Sequence, residues 1–183
     1  MDLDRFETIL SDGLVKLCNG AGVFQGGIMS SPDFDTLWDE SYLKDYTADA
    51  VENFNAFPEA AIAWAAYLGM AVAHNWDADW NAHRNDAYSS YYGSRGWDDM
   101  DERTVHELLH LKADWAAKIA DTLDSCALAT LGLIRHEGIE AQTADGFYVL
   151  VRAYTVMFRI GVTIELQRLG YTKVVLKPGE IPS

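Results

Sequence analysis

The sequence predicts an all-α fold, a bundle of about five or six helices around one buried helix at residues 57–80. Three observations carry this. Phe57–Trp80 is apolar on nearly every side, which suits a helix enclosed by others. Elsewhere apolar residues recur at the i, i+3, i+4, i+7 spacing of amphipathic helices. Only the tail YTKVVLKPGEIPS reads as extended, so no sheet is expected. With 183 residues and 49% hydrophobic composition, residues 1–183 are long enough for one domain with a sizeable core and short for two.

Asp2 or Asp4 caps a first helix in which Leu3, Phe6, Ile9, Leu10, Leu14 and Leu17 share a face, with a stop near Asn19–Gly20. The glycine-rich NGAGVFQGGIMSS that follows reads as a connector. A phosphate cradle needs glycines that leave a strand and open a helix, and these follow a helix. Ser31–Pro32–Asp33 starts a second, amphipathic helix with Phe34, Leu37, Trp38, Ser41 and Tyr42 on one face. It either continues through Tyr46, Ala50, Val51 and Phe54 or restarts at Thr47.

In the central helix Asn55 is the expected cap, Pro58 suits the first turn and Glu59 meets the positive end of the dipole. Ala61, Ala65, Gly69 and Ala73 form a stripe of small residues along which another helix can approach. Residues 81–100 keep no apolar period and carry Tyr88, Tyr91, Tyr92 and Trp97. Asp98, Asp99 and Asp101 open a helical pattern that runs to about Glu137, as one helix or two, with Gly138 as its stop. Its half from Thr122 to Ile134 loses its polar face and is expected to be deeply buried. A last helix runs from Asp145 to a Gly170 stop, with Tyr171 folding back. Arg152 and Arg159, seven apart on one stripe, are expected to pair with carboxylates.

The formal charge of −14 repels phosphate backbones and anionic lipid heads, and no local basic patch offsets it. Neither nucleic acid nor a membrane surface is an expected partner. The start MDLDRFETIL lacks the pattern of a signal peptide, and the longest apolar run falls short of the ~20 residues that span a bilayer. A soluble, cytoplasmic protein is the resulting expectation. Cys18 and Cys126 sit in apolar helical contexts without knuckle or redox-motif spacing and read as reduced core thiols.

The one recognised catalytic signature is His106–Glu107–Leu108–Leu109–His110, an HExxH. These five residues resemble the zinc motif of the zincin metallopeptidases. The resemblance implies zinc as cofactor, His106 and His110 as ligands and Glu107 as the base that activates a bound water. Asp114, one turn on, is the candidate third ligand. On a helical wheel His106, His110, Asp114 and Asp121 lie opposite the apolar side formed by Val105, Leu108, Leu109, Trp115 and Ile119, so the same residues also read as a solvated face.

Other metal patterns are incomplete. Asp77, Asp79 and Asn81 alternate as calcium-loop ligands do, but the sixth and twelfth positions are Ala82 and Tyr88. Glu107–His110 is one Glu-x-x-His of a two-metal bundle site, without a second. His74 reads as a hydrogen-bonded core histidine.

The leading functional expectation is a non-catalytic protein that binds a small ligand or protein partner through Trp76–Trp97, with Tyr88, Tyr91, Tyr92 and Trp97 as contact residues. The alternative is a zinc-dependent hydrolase built on the HELLH. Broad apolar helix faces also allow a homo-oligomer.

Overall fold

A computed structural model of the chain describes residues 2–172 and shows an all-α bundle. Most of the expected extended tail lies outside the described residues. The first helix, α1 (Leu3–Ala21), is capped by Asp2, whose carboxylate accepts from the Arg5 N–H at 2.9 Å, and it turns inward on Phe6, Leu10, Leu14 and Cys18. Gly22 ends it in the left-handed region, φ 75°, where glycine carries no side-chain penalty.

The second helix continues rather than restarting. Helix α2 (Pro32–Leu37) passes through a π-helical turn, Trp38–Tyr42, straight into α3 (Leu43–Asn53). Thr47 is therefore a buried mid-helix residue, and its hydroxyl has no hydrogen-bond partner among the described residues. The wider turn shifts the helix phase by about one residue, so Trp38 and Tyr42 are both buried alongside Phe34 and Tyr46.

The central helix, α4 (Pro58–His83), differs from expectation at both ends. Phe57 occupies the cap position with no side-chain hydrogen bond, because Asn55 falls two residues too early to reach the free N–H groups. At the other end the chain breaks at Asp79 (φ −167°, ψ 92°), where the Asp79 carboxylate accepts from the Ala82 N–H at 3.1 Å and caps one further turn. A single turn, α5 (Met100–Glu102), and a π turn (Arg103–Leu108) follow the aromatic loop. Two long helices, α6 (Ala113–His136) and α7 (Ala144–Arg168), complete the bundle.

Helices α4 and α7 cross almost backbone to backbone. A Cβ built on Gly69 would stand 2.1 Å from the Phe158 carbonyl oxygen, and one on Gly161 would stand 1.8 Å from the Ala66 oxygen. The small-residue stripe thus serves the approach it predicts, and Gly161 supplies the matching notch on the partner helix. Thr143 caps α7 through the Gly146 N–H, two residues before the expected Asp145 start. Length and composition would let α7 cross a membrane, although its uninterrupted apolar runs are shorter; 67% of its most apolar window is buried in the bundle. Arg152 pairs with Asp4 and Glu7, and Arg159 with Glu7 and Asp35, tying α7 to α1 and α2 as expected from their acidic surroundings.

Candidate functional site

The HELLH pentad does not lie on one regular helix. His106 and Glu107 occupy the π turn, Leu108 is its last residue, and His110 takes a positive φ of 50° before α6 begins at Ala113. The shared face expected for His106, His110 and Asp114 depends on an unbroken i, i+4 stack, and the chain breaks between Leu109 and Lys112. All three side chains are exposed, and Glu107 pairs with Arg103 at 3.3 Å. Among the described residues no three His, Cys, Asp or Glu side chains converge to hold a metal. Val105 and Leu109 are buried against the core before the break, and Trp115 and Ile119 pack onto it after the break.

The acidic end of α4 is engaged elsewhere. Asp79 caps the last turn, and Asp77 accepts from the Tyr171 hydroxyl at 2.6 Å, while Tyr171 packs edge-on against Trp76 at 5.4 Å. His74 lies 3.4 Å from the Glu165 carboxylate, which is fully buried and held by both nitrogens of the Arg168 fork at 2.7 and 2.8 Å. His74 is thus a hydrogen-bonded histidine at the core edge. Its buried partner is marked in the sequence only by the Glu165–Arg168 spacing, which any surface helix can also show.

The aromatic loop is ordered by its own contacts. Tyr91 (2% exposed), Tyr88 (5%) and Trp97 (7%) are buried, whereas Tyr92 is half-buried. Trp97 packs between Tyr46 and Trp64, and the Tyr91 hydroxyl accepts from Asn75 at 3.2 Å. Asp99 clamps the loop's far end. Its carboxylate accepts from the Arg95 backbone N–H at 2.8 Å and from two guanidinium nitrogens, and those Arg95 bonds hold its pKa below the usual carboxylate range. Tyr91 and Trp97, expected as contact residues, are therefore packed into the core.

Tyr88 and Tyr92 instead meet α3. Both hydroxyls donate to the same Asp49 carboxylate oxygen, Tyr88 at 2.7 Å, and the two rings stand edge to face at 5.4 Å. Tyr42, from the π turn, packs against Tyr88 at 6.0 Å and donates to the Asp86 carbonyl at 2.6 Å. Burial, and then the hydrogen bond to Asp49, push the Tyr88 and Tyr92 phenols well above their ordinary range, so both remain protonated donors at neutral pH.

A cleft of about 450 Å³ opens here, lined by Tyr42, Tyr88 and Tyr92, by Asp45, Asp49 and Asp86, and by Ser41, Ala48, Ala87 and Ser89. Asp86 pairs with His83 at 2.7 Å; among the described residues no lysine or arginine pairs with Asp45 or Asp49. A larger cleft of about 640 Å³ lies between α1 and α6, but its lining is mostly small and aliphatic and its charged groups, Lys16 and Asp121, offer no convergent set. The smaller cleft is the better candidate, because polar groups converge on it from three segments.

Sequence reasoning points to Tyr88 and Tyr92 but misses Asp45, Asp49 and Asp86. The available signal is the Ser41–Asp45–Asp49 spacing, which puts all three on one face of a helix; what faces them across the cleft is set by the path of a loop without periodicity. Compared with protein-family models, curated proteins and solved structures, the chain matches none.

Proposed function

We propose that the protein is a non-catalytic binding protein whose cleft between α3 and the aromatic loop takes an organic ammonium ligand. The observation that carries this reading is the convergence of three carboxylates and three tyrosines on one cleft, with no basic side chain paired to Asp45 or Asp49 among the described residues. Carboxylates four apart on one helix face repel each other, and an arriving cation relieves that repulsion. Tyrosine rings add cation–π attraction of about 0.5–2 kcal/mol. The carboxylates do not converge as tightly as a metal requires, which favours a larger cation.

Binding fits the groups better than catalysis does. One Asp49 oxygen is engaged by two hydroxyls and the phenols are held protonated, which makes these groups hydrogen-bond partners rather than proton acceptors aimed at a common point. The overall charge of −14 favours encounter with cations from any direction.

Calorimetry with spermidine at low salt tests the reading. The expected result is saturable binding, between about 1 µM and 1 mM, weakened at least about tenfold in Asp49→Asn and reduced by added salt. Identical isotherms for the wild type and a folded Asp49→Asn protein would remove the cleft from the account.

A further inference from the structure

Cys18 is the last buried residue of α1, and Cys126 lies midway along α6. Helix packing brings their sulfurs to 3.8 Å across 108 residues of chain, each side chain fully buried. A disulfide has its sulfurs about 2 Å apart, so a gap of about 2 Å remains for side-chain rotation and helix movement to close. The larger cleft lies over the same junction. Its lining residues Leu17, Ala21, Thr122 and Ser125 are adjacent to a cysteine or about one turn from it.

We propose that Cys18 and Cys126 form a redox modification site, at which hydrogen peroxide converts the thiol pair into an intramolecular disulfide that joins α1 to α6 and that a small thiol reverses. One thiolate attacks a peroxide oxygen; the S–O bond forms, the O–O bond breaks, and the departing hydroxide takes up the thiol's proton and leaves as water. The second sulfur attacks the resulting sulfenic sulfur, the S–S bond forms, and the S–O oxygen leaves as a second water. Two thiols and one peroxide thus give one disulfide and two waters, the sulfur pair losing the two electrons that the peroxide gains.

The pace is set by the packing. The hydrogen bond with Cys18, and then burial, push the Cys126 thiol well above its ordinary range, so thiolate is scarce until α1 loosens from α6. Oxidation is therefore slow in the closed bundle and faster in mild denaturant.

The test uses the full chain, freed of reductant, incubated with hydrogen peroxide, alkylated and mapped by mass spectrometry without reduction. The expected product is a monomer with one linked peptide pair containing Cys18 and Cys126, lighter by two hydrogen atoms, and restored by dithiothreitol. The oxidised protein should melt roughly 5–15 °C higher, because the bond closes a long loop, and Cys18→Ser and Cys126→Ser should show no such rise. Peptide mapping of the wild type decides the matter even where a serine variant fails to fold. Sulfinic or sulfonic acid at either cysteine, a bond only between chains, or two thiols still alkylatable after unfolding would overturn the proposal.

Discussion

Asp49 shows how one residue acquires a role from what covers it. On α3 it is an ordinary polar position, and only the hydroxyls of Tyr88 and Tyr92 make it the centre of a cleft. That role is not legible in the sequence, because a helical wheel shows which residues share a face but not which loop crosses it. The HELLH illustrates the reverse. Its spacing is clear, but spacing reports geometry only where the helix is regular, and His110 lies beyond its end. Asp99 is a third case, with a definite pH dependence. Arg95 lowers its folded-state pKa, so Asp99 contributes stability that is fully present above the unfolded carboxylate value of about 4 and is lost as pH falls through the lower folded value. Asp99→Asn should therefore unfold at lower urea concentration than the wild type at pH 7, and the difference should close on acidification below that folded value. A gap that is the same at both pH values would show that the clamp acts by shape alone.

At the scale of elements, the legible features are those with local causes. The apolar runs of α1, α4, α6 and α7 announce helices, Gly170 ends α7 at positive φ as expected, and the alanine and glycine stripe of α4 announces a close crossing, whereas α1 runs past its expected Asn19–Gly20 stop to Gly22. The π turns at Trp38–Tyr42 and Arg103–Leu108 leave no local mark, since they arise where packing demands an extra residue per turn. The α4–α7 crossing gives a sharp prediction. Gly161→Ala places a Cβ 1.8 Å from a backbone oxygen that no rotamer change can move, so the helices must separate. The expected cost is about 3 kcal/mol or more, read from urea unfolding midpoints. Gly132→Ala, inside α6 with nothing among the described residues within 4 Å of the new Cβ, should instead stabilise by about 0.5–1 kcal/mol through helix propensity. Equal effects from the two substitutions would contradict the close crossing.

The whole molecule joins these scales. An all-α bundle is legible because nearly every segment has helical periodicity and one helix has no polar side to expose, so the others must surround it. The placement of the acidic groups is not legible, since the same composition is compatible with charge spread evenly over a solvated surface. In the proposed function a particular cleft, not the overall charge of −14, selects the cation. Two-dimensional amide NMR during titration with spermidine distinguishes these most directly. Selection by the cleft predicts saturating shifts concentrated at Asp45, Asp49, Asp86, Tyr88 and Tyr92; small, non-saturating shifts scattered over acidic residues such as Asp12, Asp39 and Glu140 would contradict it.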